Sequence, residues 1–170
     1  MVVNPNDTQM HDYILSIKNQ KILKPLSQKG YRLDLGAFTD LSESEKTITC
    51  RLATSVHPPK NARYIDYIRH AFETEFKKSK LYDAKAKTTI TATLNNLYGS
   101  TTYGDAYWSF DITLHSSNGQ SLHIVSKYDY ESSITAAYAC EEMHKTFPIA
   151  LQKCINDTVK NPDFKRLLYK

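Results

Sequence analysis

The stretch Trp108-Ser109-Phe110-Asp111-Ile112-Thr113-Leu114-His115-Ser116-Ser117-Asn118-Gly119-Gln120-Ser121-Leu122-His123-Ile124 alternates apolar and polar residues on both sides of an Asn-Gly pair. Period-two alternation is the signature of a half-buried strand. Asn118 and Gly119 both tolerate positive φ, so the stretch predicts a β-hairpin with Trp108, Phe110, Ile112, Leu114, Leu122 and Ile124 facing a core. Tyr128 and Tyr130 continue that face. His115, His123, Lys127 and Asp129 occupy the other.

Upstream, Ile90, Ala92 and Leu94 alternate with Thr89, Thr91 and Thr93, and Asn95-Asn96 interrupts the pattern as a bulge would. The small, polar segment from Gly99 to Gly104 predicts a mobile hairpin loop. Ile65, Ile68, Phe72 and Phe76 recur at helical spacing after Asn61, a candidate N-cap. Before that helix, Tyr31, Leu33 and Leu35 and then Ile48, Cys50 and Leu52 predict two further strands. Downstream, Ala137, Cys140, Phe147, Leu151 and Cys154 form the stripe of a last helix, with Ser132 or Ser133 as its cap. Pro148 is expected to bend it.

The expected fold is therefore α+β: one antiparallel sheet of about five strands, two helices on one face, in the order β-β-α-β-β-β-α. Residues 30–170 form this single domain. Residues 1–29 read as an irregular strap or linker because of Pro25, although Met10, Tyr13, Ile14 and Ile17 have helical spacing.

At 170 residues the chain is long enough to bury a core, and its 41% hydrophobic and 24% charged residues are ordinary for a globular protein. A net charge of +4 falls short of a nucleic-acid-binding footprint. No apolar run reaches the roughly 18 to 20 residues that span a bilayer. Met1 to Gln9 lacks the basic start and apolar core of a secretory signal. That leaves an intracellular protein, or one whose native signal has been removed.

Three cysteines carry a compartment question. Cys50 on a strand and Cys140 on the last helix could meet across the core, closing a loop worth roughly 4 kcal/mol. Cys154 lies about 21 Å along the helix from Cys140, so those two cannot pair. The alternative is three reduced thiols acting as small apolar residues.

Chemistry-bearing patterns are sparse. Glu141 and His144 have the Glu-x-x-His spacing of di-iron bundles, but Glu73 and Glu75 on the other helix complement them poorly, so neither metal nor cofactor is expected. His57, His70, His115 and His123 have no partner evident in sequence. Nucleophile-elbow, phosphate-loop and dinucleotide motifs are absent, which argues against an enzyme. The acceptor patterns Asn6-Asp7-Thr8 and Asn156-Asp157-Thr158 are discounted as chance matches. Twelve tyrosines are many for this length, and Tyr98, Tyr103 and Tyr107 cluster near the Gly-Ser-Thr segment as a candidate contact rim for a protein or glycan.

The runs Trp108–Leu114, Ser116–Gly119, Tyr128–Ser133, Ala139-Cys140, Phe147–Gln152 and Pro162–Phe164, with Cys50-Arg51 and the helix from Tyr64 to Tyr82, resemble small uncharacterised lipoproteins of Gram-negative envelopes. The likeness extends from about Tyr31 to Leu168. It implies a periplasm-facing domain, similar in type to LPS-assembly and transport auxiliary lipoproteins, anchored to the outer membrane by a lipid outside this chain. Such a domain serves as a structural or accessory part of an envelope assembly by binding a protein partner. Because the periplasm is oxidising, the resemblance also implies a Cys50 to Cys140 disulfide. The rival expectations are a small glycan- or lipid-binding module with a groove between sheet and helices, a hydrolase built from the scattered histidines, and a cytoplasmic location.

Overall fold

A computed structural model describes residues 10–51 and 54–168. Leu52 and the Asn6 acceptor pattern lie outside these residues. The hairpin forms where the alternation places it: β5 (Asp105–Ser116) pairs antiparallel with β6 (Ser121–Tyr130), and Gly119 takes a φ of 92° in the turn. Trp108, Phe110, Ile112, Leu114, Leu122 and Ile124 are all buried. β4 (Thr89–Thr102) pairs antiparallel with β5, and the register slips between Leu94 and Asn96, which is the bulge expected at Asn95-Asn96.

The sheet has four strands in the order β1-β4-β5-β6, with a separate two-stranded sheet beside it. The expected all-antiparallel sheet of about five strands is corrected on two counts. β1 (Asp34–Asp40) runs parallel to β4, because the chain between them crosses over through α3 (Tyr64–Lys78) and returns in the same direction. Among the described residues, the alternation around Ile48 yields the two-residue β2 (Thr49–Cys50), paired with β3 (Thr54–Ser55) outside the main sheet. A short helix, α2 (Ser44–Thr47), precedes β2.

α3 buries Ile65, Ile68, Phe72 and Phe76 as its spacing predicts, but Asn61 does not cap it. The cap residue is Arg63, and the Glu45 side chain accepts the backbone N–H of Tyr64 instead. A carboxylate from α2 thus satisfies an orphan amide and sits favourably at the positive helix end. At the irregularity of β1, Arg69 of α3 donates to the carbonyls of Leu35 and Gly36, tying helix to strand.

The expected strap is also corrected: residues 17–28 are a helix, α1 (Ile17–Gln28), with Pro25 inside it. A buried carboxylate explains why. Glu75 lies on the buried face of α3 and accepts hydrogen bonds from Tyr13 Oη at 2.6 Å, Ser16 N at 2.7 Å and Gln20 Nε2 at 2.6 Å. Three donors held on one carboxylate fix the start of α1, and Leu23 and Leu26 join the core.

α4 (Ala136–Val159) buries Phe147, Leu151 and Cys154, but its first turn projects past the core. Ala137 is exposed there and Ala139 is buried instead; Thr135, not Ser132 or Ser133, is the cap residue. Phe147 is the hub between helices and sheet. Its ring centroid lies 4.7 Å from Trp108, 5.4 Å from Tyr64 and Tyr67, and 5.7 Å from Phe110. Such ring pairs are each worth about 0.5–1.5 kcal/mol beyond the area they bury.

Candidate functional site

The second half of β4 positions the candidate site. β1 ends with Asp40 opposite Leu94, so Asn96 to Thr102 pair with β5 alone. The segment read as a mobile loop is therefore strand through Thr102, and only Tyr103 and Gly104 form the turn. Gly99 is glycine for a packing reason. A Cβ there would lie 2.8 Å from Trp108 Cζ3 and 2.6 Å from Met143 Cε, so the bare backbone makes room for the indole. Trp108 Nε1 in turn donates to the Met143 carbonyl at 3.2 Å.

After the bulge, alternation sends Tyr98 to the solvent face. Tyr98 and Tyr107 meet there with ring centroids 5.7 Å apart, and Lys127 Nζ sits 4.2 Å over the Tyr107 ring. Tyr103 stands at the turn. Tyr98 and Tyr103 are 51% and 63% exposed, which is far more than ring packing within the domain requires. The structure thus brings Tyr98 against Tyr107 and leaves Tyr103 apart at the tip.

Beside the free edge of β4 opens a groove of about 510 Å³, lined by Tyr98 to Tyr103 on one side and by Thr47, Thr49 and Arg51 on the other. The disulfide holds the second wall in place. Cys50 is bonded to Cys140 with Cα atoms 5.5 Å apart, so β2 is fastened to the first turns of α4. The next residue, Arg51, has a φ of 51°, donates its backbone N–H to Thr101 Oγ1 at 3.4 Å and its guanidinium to the Ser133 carbonyl. Sequence reading paired the cysteines and picked the tyrosines. It missed Thr47, Thr49 and Arg51, whose only signal is their adjacency to Cys50.

The histidines lie elsewhere. His123 Nε2 is 2.6 Å from Asp111 Oδ1 on the solvent face of the sheet, and Asn95 Nδ2 donates to the same oxygen at 3.0 Å. Burial raises the Asp111 pKa, but the Asn95 bond and His123 outweigh it and hold the carboxyl below its ordinary range. His115 contacts Ser121 Oγ at 3.0 Å and Thr93 Oγ1 at 3.3 Å. Neither ring joins a carboxylate to a hydroxyl, the relay a triad requires. His144 is buried with Nδ1 2.7 Å from the Cys140 carbonyl, while Glu141 is exposed. Among the described residues, no three His, Cys, Asp or Glu side chains gather as a metal site would need.

Cys154 is buried and free, and burial pushes its thiol pKa far above the ordinary value, so it is a packing residue. In the discounted pattern at Asn156, Thr158 is buried and donates to the Cys154 carbonyl at 2.8 Å. Among the described residues, no helix is long and apolar enough to cross a membrane. The chain matches no protein-family model, and no curated protein is significantly similar to it.

Proposed function

We propose that this chain is a non-enzymatic domain of the Gram-negative periplasm, held at the outer membrane by a lipid outside the sequence, that serves an envelope assembly by binding a protein partner. The observation that carries the reading is the half-free β4 edge, flanked by exposed tyrosines and a groove whose far wall is fastened by a disulfide. Ser132 Oγ and Tyr130 Oη already donate to the Thr101 and Ser100 carbonyls at 2.9 and 2.8 Å, so the stretch open to an added strand is Asn96 to Gly99, and tyrosines beside it supply contact area at low entropic cost. The disulfide favours an oxidising compartment. The space between sheet and helices is filled by fully buried Trp108, Tyr64, Phe72, Phe110 and Phe147, which favours protein contact over a lipid pocket there.

Photo-crosslinking in native envelope membranes tests the reading. A crosslinking residue at Tyr103 and another at Thr49 should each capture the same protein, through one extended segment. A probe at Lys145 on α4 should not. Tyr98→Ala with Tyr103→Ala should lower the yield at Thr49 about tenfold, the loss of roughly 1.4 kcal/mol of contact. No adduct, or equal capture at Lys145, would count against a protein partner at this edge. Protection of the tyrosines by soluble oligosaccharide would favour the glycan reading.

A further inference from the structure

The opposite end of β4 has a different character. A groove of about 650 Å³ opens there, lined by Lys29 and Gly30 after α1, Tyr31 and Arg32 before β1, Asp83 and Lys85 to Thr88 before β4, and Leu168. That volume lies within the range of small-molecule sites. Among the described residues its charge is unbalanced: Lys29, Arg32, Lys85 and Lys87 line it against one carboxylate, Asp83. Asp83 Oδ1 is occupied with the backbone N–H of Lys85 at 2.9 Å. Among the described residues none of the four cations is in an ion pair, a state they share with exposed lysines such as Lys18, Lys21 and Lys60; what sets them apart is that they converge on one groove.

Arg32 is also held in position. Its Nη1 donates to the Ser27 carbonyl at 2.8 Å and to the Tyr31 carbonyl at 2.6 Å. Two carbonyls on one nitrogen fix the guanidinium plane and leave Nε and Nη2 as a fork for an oxyanion. A pre-positioned arginine beside lysines that act as point charges is the combination that recognises phosphate. Gly30, at a φ of 92°, forms part of the rim, and a Cβ there would have nothing within 4 Å, so the rim is open to a ligand.

We propose that this groove is a binding site for phosphate-bearing ligands, with Arg32 as the oriented donor and Lys29, Lys85 and Lys87 as the charge that concentrates them. The proposal is independent of the partner reading, because β4 places the two sites at opposite ends of a strand roughly 45 Å long.

The intact, disulfide-bonded chain is titrated calorimetrically with sodium pyrophosphate at low ionic strength. In a second arm it is sedimented with phosphatidylcholine vesicles with and without phosphatidylglycerol. Binding of pyrophosphate assigns a soluble phosphate ligand; binding only to phosphatidylglycerol vesicles assigns a lipid headgroup. Either supports the site if Arg32→Ala with Lys87→Ala weakens it by about tenfold or more and Arg32→Lys, which keeps the charge and loses the fork, weakens it by a smaller factor. Lys18→Ala, Lys21→Ala and Lys60→Ala together remove three charges elsewhere and should leave it unchanged. Should the Arg32 variants unfold, Lys85→Gln with Lys87→Gln, both exposed, gives the same reading. No binding in either arm, or an equal loss in the distant triple variant, overturns the proposal.

Discussion

β4 keeps its two halves in different company. Thr89 to Leu94 is bonded to β1 on one side and β5 on the other, with Ile90, Ala92 and Leu94 buried beneath the helices. Asn96 to Thr102 has β5 alone, and its inner face holds Leu97, Gly99 and Thr101 around Trp108. The first half is scaffold, closed on both edges. The second half keeps a packed inner face but gives up one edge, and what stands across from that edge is a two-residue strand fastened by a disulfide. A strand can therefore change role along its length without leaving the core, provided something other than a ladder supports the open part.

The largest expected effect is on that support. Cys50→Ala with Cys140→Ala opens a loop spanning 90 residues and should cost about 4 kcal/mol. Amide hydrogen exchange should show the loss first at Asn96 to Thr102 and β2, with Thr89 to Leu94 keeping its protection down to global unfolding. Equal loss in both halves would mean that the disulfide supports the whole sheet and not the open edge. Leu94→Ala probes the closed half. It empties a fully buried side chain and should cost about 3 kcal/mol in a chemical denaturation midpoint, with protection lost uniformly.

Gly99→Ala is smaller and local. The added methyl meets the rigid indole of Trp108 and the flexible end of Met143, so overpacking should cost about 1–3 kcal/mol, and Trp108 fluorescence should shift. Met143→Ala in the same chain should recover part of that cost, because one of the two obstacles is removed. A Gly99→Ala chain as stable as its parent would show that this segment is glycine for mobility after all.

Much of this contrast was legible in sequence, and the part that was not has physical causes. Alternation fixed which residues of β4, β5 and β6 face inward, because period two depends on the pleat alone. It could not reveal that β1 pairs in parallel, since a strand's direction is set by its crossover and leaves no mark on its own pattern. The turn at Asn118-Gly119 was readable because positive φ restricts residue type. Gly99 was misread by the same rule, because close packing against Trp108 selects glycine as strongly as a turn does. α1 was discounted on Pro25, and Glu75, which anchors it, was weighed only as a poor complement to Glu141 and His144. Its place between Phe72 and Phe76, on the same helical face, was the available clue. Of the candidate site, the tyrosines and cysteines stood out by composition, while Thr47, Thr49 and Arg51 gain their place only from the path of the chain.

The smallest effect expected is a pH dependence confined to the supported half. Burial lowers the pKa of His144 below the ordinary imidazole value; the Cys140 carbonyl pulls it back up in part, and nearby His57 lowers it further. The folded chain therefore favours the neutral ring, one turn along α4 from the disulfide. As pH falls through about 6.5, the unfolded chain takes up a proton at this position and the folded chain does not. Linkage then makes the stability contribution complete above that pH and progressively lost as pH drops towards the depressed folded value. The carboxyls of Asp111 and Asp157 are themselves held below their ordinary range, so they remain ionised across this window. Thermal midpoints should decline modestly from about pH 7.5 to about pH 5.5, and His144→Gln should flatten the decline. Exchange at Asn96 to Thr102 should quicken with acid before exchange at Thr89 to Leu94, because acid favours the locally opened state of α4 in which His144 takes up a proton. A decline that survives in the His144→Gln chain would place the titrating group elsewhere and leave the disulfide as the link between α4 and the open edge.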